Sequence, residues 1–139
     1  MATPHHLLVI DDEPFIGRIV RLEFEHGPYD VSVAHDGDVG LAFLRSHPDV
    51  DLVLLDVNMP GRSGLDVLAE VRGDPRLSEV PVIVLTAAGQ RTYAERAAAL
   101  GASAFLTKPF SPKKLVRRVA AILGEAPAAD DGADDGEEA

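Results

Sequence analysis

Four apolar runs in this sequence are each followed at once by polar side chains that can take part in chemistry. In chain order these residues are Asp11, Asp12 and Glu13, then Asp56, then Thr86, then Thr107 and Lys108. Clustered carboxylates repel one another, by about 4 kcal/mol for two unit charges 4 Å apart at an effective dielectric near 20. A site built from these aspartates would therefore need a raised carboxyl pKa, a lysine such as Lys108, or a divalent cation.

The atoms with which these residues could bind a metal ion are oxygens, since the chain has no cysteine and no histidine is among them. Oxygen donors favour Mg²⁺ over zinc, and Mg²⁺ usually takes one or two carboxylates, keeps several waters and accepts phosphate oxygens. A metal, a lysine and a hydroxyl around one aspartate suit phosphoryl transfer onto that aspartate. In this arrangement the metal and Lys108 would neutralise the phosphoryl oxygens, and the Thr86 hydroxyl would bind one of them.

Each of these residues also has an ordinary structural explanation. An aspartate directly after a strand is commonly a turn former, and Asp11 and Asp12 could simply cap the following helix. Thr86 could be a strand-end hydroxyl, and Lys108 could be a surface turn residue before Pro109. A functional site is favoured by their joint occurrence at the ends of several strands, and by no single residue.

The elements that must position these side chains alternate along the chain. Five short runs rich in Val, Ile and Leu predict strands, namely "HHLLVI", "DVSVA", "DLVLL", "VPVIVL" and "AFL". Helical patterns follow them, over residues 14–26, 37–46, 64–72, 88–99 and 112–123. Strict alternation predicts an α/β fold with a parallel sheet and helices on both faces. Ligands bind such sheets at the carboxyl ends of the strands, so the polar residues are expected to converge there.

Several helix ends carry clear signals. Ser63 begins a capping-box spacing, Ser111 suits an N-cap, and Gly124 suits the C-terminal end of the last helix. The helix over residues 37–46 has a weaker basis, because Gly40 costs roughly 1 kcal/mol relative to alanine in a helix interior.

The negative charge of the chain is concentrated at its C-terminal end. The net charge is −10, and residues 124–139 hold seven acidic side chains and no basic ones, which leaves 16 acidic and 13 basic residues, or −3, in residues 1–123. Residues 124–139 also lack large apolar side chains and cannot bury enough surface to offset the entropy lost on ordering. We therefore expect one folded domain over residues 1–123 and a disordered acidic tail over residues 124–139.

The composition limits the other classes of protein. A length of 139 residues suits a single domain with a substantial core. No apolar run approaches the ~20 residues needed to span a bilayer, and "MATPHHLLVIDD" lacks the features of a signal peptide. The absence of cysteine excludes disulfides and thiolate chemistry. We expect a cytoplasmic protein with no membrane segment.

From residue 6 to residue 123 the sequence resembles the receiver domain of two-component response regulators, of the stand-alone chemotaxis-regulator type. The resemblance rests on "LLVIDDEP", "DLVLLDVNMPGRSGLDVL", "VPVIVLTA" and "LGASAFLTKPFSPKKL", which occur in the family's order and spacing. It implies a flavodoxin-like (βα)5 fold with strand order 2-1-3-4-5. It also implies a signalling switch that catalyses only its own phosphoryl uptake and loss.

This resemblance implies a role for each residue of the acidic cluster. Asp56 is the phosphoryl acceptor. Asp12 is a direct Mg²⁺ ligand, Asp11 binds the ion through water or orients the site, and Asn58 gives its backbone carbonyl to the metal. The implied metal site thus consists of Asp11, Asp12, Asp56 and the carbonyl of Asn58.

The resemblance also implies roles for residues near the phosphoryl group. Thr86 and Lys108 contact that group, and the Lys108–Pro109 peptide bond is cis. Phe105 is an aromatic switch that moves inward as Thr86 shifts toward the phosphoryl group. Taken from the residues alone, Phe105 could equally be an ordinary core residue of the fifth strand.

The implied partners are proteins. The phosphoryl donor would be a sensor histidine kinase or a histidine phosphotransfer protein, and the face of the fourth helix, fifth strand and fifth helix would control a downstream target. Exposed basic residues on that face, which could equally be ordinary solvated side chains, are Arg91, Arg96, Lys113, Lys114 and Arg117. No helix-turn-helix or basic patch follows residue 123, so we expect no nucleic-acid partner. The expected state is a monomer or a phosphorylation-dependent dimer.

Three alternatives fit the sequence less well. A phosphatase or phosphotransferase of the haloacid dehalogenase type needs a second aspartate two residues after the nucleophile, where this chain has Asn58. A flavodoxin-like cofactor binder would have a Ser-, Thr- and Gly-rich loop after the first strand, whereas "DDEP" would repel phosphate without a metal. A receiver that no longer accepts phosphate is disfavoured because no expected site residue is missing.

Overall fold

The computed structural model describes residues 4–87, 89 and 91–124, which form five strands alternating with five helices. In chain order the elements are β1 (His5–Ile10), α1 (Pro14–Phe24), β2 (Tyr29–Ala34), α2 (Gly37–Ser46), β3 (Val50–Asp56), α3 (Gly64–Gly73), β4 (Val82–Ala87), α4 (Arg91–Ala99), β5 (Ala104–Lys108) and α5 (Pro112–Leu123). All strand pairs are parallel, in the order β2-β1-β3-β4-β5. The predicted flavodoxin-like α/β fold is confirmed.

The central strands are apolar throughout because both faces of the sheet are covered. Alternate residues point to opposite sides, so in β3 Leu52 and Leu54 belong to one buried cluster, and Val53 and Leu55 belong to the other. One cluster packs against α1 and α5, and the other packs against α2, α3 and α4. This explains the lack of polar alternation in "DLVLL".

Four of the polar residues predicted to follow the strands belong instead to the C-terminal ends of the strands themselves. Asp56 is the final residue of β3 and pairs with Leu85, while Thr86 pairs with Thr107 in β5. Lys108 ends β5 opposite Ala87. These side chains are therefore held by paired strand backbone, which is more rigid than a loop.

Helix ends follow the predicted signals. The Ser63 hydroxyl accepts a hydrogen bond from the Asp66 N–H, and the Asp66 carboxylate accepts one from the Ser63 N–H, which completes the capping box. The Ser111 hydroxyl accepts a hydrogen bond from the backbone of Lys114 at the start of α5. Gly124 ends α5 with a φ of +78°, a left-handed conformation that glycine adopts without strain.

Gly40 lies inside α2 and lets that helix approach the sheet. The helix forms over Gly37–Ser46 and begins at Asp36, whose side chain accepts a hydrogen bond from the Val39 N–H. A Cβ atom at position 40 would lie 2.5 Å from Cδ1 of Ile10. The helix-propensity cost expected from the sequence is therefore accompanied by a packing requirement for a residue without a side chain.

The two helices that flank β4 differ in how firmly they are attached. In α3, Leu65, Leu68 and Val71 are buried in the core, and Gly64 is buried as well. In α4, Ala97 is the one buried residue. The helix predicted over 88–99 is observed from Arg91, and part of its predicted start lies outside the described residues.

Two other predictions concern the end of the first helix and the C-terminal tail. The first helix, predicted over 14–26, ends at Phe24. The acidic tail predicted over 124–139 lies outside the described residues, apart from Gly124. Within residues 4–87, 89 and 91–124, no helix is both long enough and apolar enough to cross a membrane.

Candidate functional site

Three aspartates meet at the carboxyl ends of β1 and β3. Asp11 directly follows β1 and is fully buried, and its N–H donates a hydrogen bond to the carbonyl of Ala34 in β2. Asp56 at the end of β3 is 4% exposed, whereas Asp12 is exposed to solvent. One carboxylate oxygen from each of the three lies within 4.8 Å of the others. The predicted convergence of the aspartates is therefore observed.

Lys108 reaches this cluster from β5, two strands away from Asp56 in the sheet. Its ammonium Nζ lies 3.0 Å from Oδ2 of Asp11, 3.4 Å from Oδ1 of Asp56 and 3.0 Å from Oε1 of Glu13. The lysine is thus shared among carboxylates from the loop after β1 and from the end of β3. It provides part of the charge compensation that the clustered aspartates require.

Burial shifts the ionisation of the aspartates. Removal from water, together with the nearby charge of Asp11, raises the pKa of Asp56 to about 7, against the opposing effects of Lys108 and the Asn58 N–H. Burial also raises the pKa of Asp11, although the Glu13 N–H and Lys108 stabilise its charged form. Two of the three features expected to make clustered carboxylates tolerable are therefore present: raised pKa values of the aspartates, and a lysine.

Lys108 remains protonated in this environment. Burial alone would lower the pKa of its ammonium, but the ion pairs with Asp11 and Glu13 outweigh burial and raise that pKa above its ordinary value. The lysine is therefore a fixed positive charge beside Asp56.

The acidic cluster fits a divalent cation of the hard, oxygen-preferring kind. Oδ2 of Asp11 is buried and forms no hydrogen bond with the described residues, although it lies close to the Lys108 ammonium. Such an oxygen still has lone pairs to offer, and Asp12 and Asp56 place further carboxylate oxygens nearby. The three aspartates can therefore hold a metal ion.

The backbone of Asp56 is enclosed by the start of α3. The Gly64 N–H donates to the carbonyl of Val57 at 3.0 Å, and the Val57 N–H donates to the carbonyl of Leu85 at 3.1 Å. A Cβ atom at Gly64 would overlap the carbonyl oxygen of Asp56. The Asn58 N–H donates to Oδ1 of Asp56 at 3.3 Å. Glycine at position 64 is thus required by the close approach of helix and strand.

The residues implied as a switch lie on the neighbouring part of the sheet. Thr86 is 3% exposed and directly follows Leu85, the residue that pairs with Asp56. Phe105 is 44% exposed and lines a cavity of about 590 Å³ together with Thr86. The Lys108–Pro109 peptide bond is cis, as the resemblance implies.

Glu13 is the one residue at the site whose contact was not predicted. Its carboxylate hydrogen-bonds the Lys108 ammonium, and its N–H donates to Oδ1 of Asp11 at 2.9 Å. The sequence signal available was its position two residues after Asp11 in the same acidic loop. Nothing in the spacing distinguishes a lysine-binding carboxylate from a solvated one.

Comparison with known families decides what kind of domain carries this site. The family model of the response regulator receiver domain matches residues 7–120. The chain belongs to the response regulator receiver family. It is thus a two-component receiver domain with an acidic metal-binding pocket, a signalling module and not a conventional enzyme.

Similar proteins include full-length regulators and small receivers. The transcriptional regulatory protein CpxR of Klebsiella pneumoniae is 39% identical over 117 residues, which are 84% of this chain and 48% of that protein. The uncharacterized transcriptional regulatory protein YkoG of Bacillus subtilis is 39% identical over 118 residues, 85% of this chain and 50% of that protein. This receiver chain therefore spans about half the length of these curated relatives.

A solved chemotaxis receiver has the same fold over nearly its entire length. The structure of chemotaxis protein CheY4 of Vibrio cholerae matches with a TM-score of 0.79 at 28% identity, covering 86% of this chain and 99% of that chain. Receiver domains of two-component systems pair with histidine kinases.

Proposed function

We propose that this receiver is a phosphorylation-dependent switch that accepts a phosphoryl group on Asp56. The supporting observation is the position of the Asp56 carboxylate, at the end of a central strand, beside two further aspartates and 3.4 Å from the Lys108 ammonium. The donor would be a sensor histidine kinase or a histidine phosphotransfer protein. The domain responsible would be residues 1–123, acting in the cytoplasm.

The chemistry is a single displacement at phosphorus. One oxygen of Asp56 forms a bond to phosphorus as the bond from phosphorus to the donor's histidine nitrogen breaks, and the electron pair leaves with that nitrogen. Such transfers depend on positioning and on stabilisation of charge on the phosphoryl oxygens. The paired backbone of β3 positions the Asp56 carboxylate, and Lys108 supplies a fixed positive charge beside it.

The proposed cofactor is Mg²⁺, held by Asp11, Asp12, Asp56 and the backbone carbonyl of Asn58. When bound, the ion supplies positive charge that neutralises the phosphoryl oxygens and the carboxylates themselves. The oxygen-only donors support this choice, as does the buried Oδ2 of Asp11, which is ion-paired with Lys108 but forms no hydrogen bond with the described residues. Asp11 has no direct contact with the phosphoryl group in this proposal and acts by orienting the ion and Lys108.

The switch would follow from the added charge. Phosphorylation brings roughly two negative charges to Asp56. A hydrogen bond from the Thr86 hydroxyl and the ion pair with Lys108, each worth about 1.5–3 kcal/mol for a charged group, would favour the arrangement in which Thr86 lies close to the phosphoryl group. A shift from 1:99 to 99:1 needs about 5.5 kcal/mol, which two such contacts and the metal can supply together. Phe105 would then turn inward.

The output would be a change in the face formed by α4, β5 and α5, which contacts a downstream protein. The exposed Phe105 and the cavity it shares with Thr86 support this location, because movement of Thr86 would alter that surface directly. The proposed partners do not include nucleic acid or membrane. The proposed state is a monomer or a dimer formed on phosphorylation.

Incubation with acetyl phosphate tests the acceptor and the metal together. Intact-mass measurement should show one added phosphoryl group on the unmodified receiver with Mg²⁺, and none on Asp56→Asn or after chelation of Mg²⁺. Circular dichroism of the variant provides the control for folding. Labelling that survives in Asp56→Asn, or that proceeds equally without Mg²⁺, would overturn the proposal.

A further inference from the structure

The basic residues on the two sides of the molecule differ in how they are neutralised. On the side of α2 and α3, Arg62 pairs with Asp38 at 2.7 Å and with Glu70 at 2.6 Å. Arg45 pairs with Glu70 at 3.1 Å on the same surface. These two arginines therefore have carboxylate partners within the fold, whereas Arg72 of α3 donates to backbone carbonyls.

The side formed by α4, β5 and α5 is arranged differently. Two adjoining cavities of about 590 and 820 Å³ meet there at Phe105 and Thr107, and we call them together the basic groove. Arg91 lines the first cavity, and Arg118 lines the second. Neither arginine forms an ion pair with a carboxylate of the part of the chain that the structure describes, although Glu95 also lines the first cavity.

A strongly acidic segment follows this surface directly in the chain. Residues 125–139 carry seven carboxylates and no basic side chain, and so account for −7 of the net charge of −10. The segment begins after Gly124, which ends the helix that carries Arg118. The sign and the position of this charge are thus complementary to the groove.

The connection is long enough for the segment to return along the helix. Arg118 lies six residues before Gly124, a rise of about 9 Å at 1.5 Å per residue. An extended chain covers up to about 3.3–3.6 Å per residue, so the six or seven residues from Gly124 to Asp130 and Asp131 can span about 20 Å. The first pair of aspartates can therefore reach Arg118, and later carboxylates can reach farther along the groove.

We propose that residues 125–139 bind the basic groove of the same chain. Covalent attachment gives the segment an effective concentration near the millimolar range, which suits individually weak ion pairs. Because exposed charges are screened over about 10 Å at 0.1 M salt, the contact is reversible and weakens as salt rises. The short connection after α5 favours binding within one chain over binding to a second copy.

The regulatory consequence rests on the function proposed above. The groove includes Phe105, so the bound segment covers the surface that a downstream partner would use. A partner with an acidic docking sequence would have to displace residues 125–139. The segment therefore acts as an internal competitor that raises the threshold for output.

Paramagnetic broadening in nuclear magnetic resonance spectra tests the contact. Since the chain has no cysteine, Ala133→Cys provides a single attachment point for a nitroxide label in the middle of the acidic segment. In the unphosphorylated protein without Mg²⁺, amide signals of β5 and α5 should be broadened more than those of α2 and α3. The difference should be lost near 1 M salt, where the Debye length falls to about 3 Å.

Matched variants separate this contact from chance proximity. Replacing all seven acidic residues of the segment with their amides should abolish the selective broadening, and Arg118→Gln should weaken it. Arg62→Gln, which alters an arginine that already has carboxylate partners, should leave it unchanged.

Three results would overturn the proposal: equal broadening on both sides of the molecule, selective broadening that persists in the amide variant, or broadening that arises only between chains. The last is detected by mixing isotope-labelled protein with unlabelled nitroxide-bearing protein. None of these measurements involves phosphorylation. A failure of the chemistry at Asp56 would leave them unaffected, and the two proposals are therefore tested separately.

Discussion

The raised pKa of Asp56 predicts that replacing this carboxyl group stabilises the metal-free protein at neutral and higher pH. Asp56 is almost fully buried, and its pKa rises from 3.8 to about 7 in the folded protein, first through burial and then through the charge of Asp11. Between these two values the folded protein keeps a proton that the unfolded chain has released. The free energy of unfolding therefore falls as pH rises through this range.

The magnitude follows from the difference between the two pKa values. Each pH unit corresponds to about 1.4 kcal/mol, so the interval from 3.8 to about 7 corresponds to a loss of up to about 4 kcal/mol in the free energy of unfolding. Asparagine has a similar shape and does not ionise. Asp56→Asn should thus resemble the unmodified protein near pH 4 and exceed its stability by up to about 4 kcal/mol at pH 8.

Urea unfolding followed by circular dichroism, at several pH values and with a chelator present, measures this difference. Asp30→Asn, a change at an exposed strand residue, serves as the control and should show no comparable gain at high pH. Adding Mg²⁺ should stabilise the unmodified protein by about 2.7 kcal/mol at a hundred times its dissociation constant, and Asp56→Asn by less. A difference that does not grow with pH, or an unmodified protein that is the more stable at pH 8, would refute the reasoning.

Three further changes test other contacts of the site and the core. Gly64→Ala should lower the free energy of unfolding by about 1–3 kcal/mol or more in urea titrations, because its Cβ would overlap the backbone of Asp56. It should also slow labelling by acetyl phosphate, and normal stability and labelling would contradict this. Gly40→Ala should destabilise despite better helix propensity, and Ile10→Val should recover part of that loss in a double-mutant cycle; simple additivity of the two changes would refute the contact. Glu13→Gln should speed the initial labelling by about 1.4- to 5-fold, because the ion pair with Glu13 no longer restrains Lys108. This factor is equivalent to the roughly 0.2–1 kcal/mol of an exposed ion pair. A slower rate would show that Glu13 assists labelling instead.

The sequence was sufficient to predict those features that follow from topology. Strict alternation of apolar runs and helical segments predicts a parallel sheet, and a parallel sheet brings Asp11 and Asp56 to one edge wherever the intervening helices lie. The cap residues Ser63 and Ser111 act through backbone groups three residues away, so local spacing alone identifies them.

Features that depend on distances between elements could not be predicted in this way. Gly40 and Gly64 look alike in a sequence, each as a glycine in a helical pattern, yet each is required by a different close approach to the sheet. The contact between Glu13 and Lys108 joins residues 95 positions apart and depends on side-chain rotamers and strand twist. The propensity of single residues contains no information about either.

The Asp56 backbone is packed between β4 and α3, and α3 is held more firmly in the core than α4. Gly64 fits directly against the Asp56 carbonyl, and α3 is anchored by several buried side chains, whereas α4 has Ala97 as its one buried residue, with Tyr93 partly buried against the same core. Local opening is favoured where few apolar contacts hold an element. If Asp56 accepts a phosphoryl group as proposed, the resulting rearrangement is therefore expected on the side of α4 and β5, where fewer buried side chains resist it.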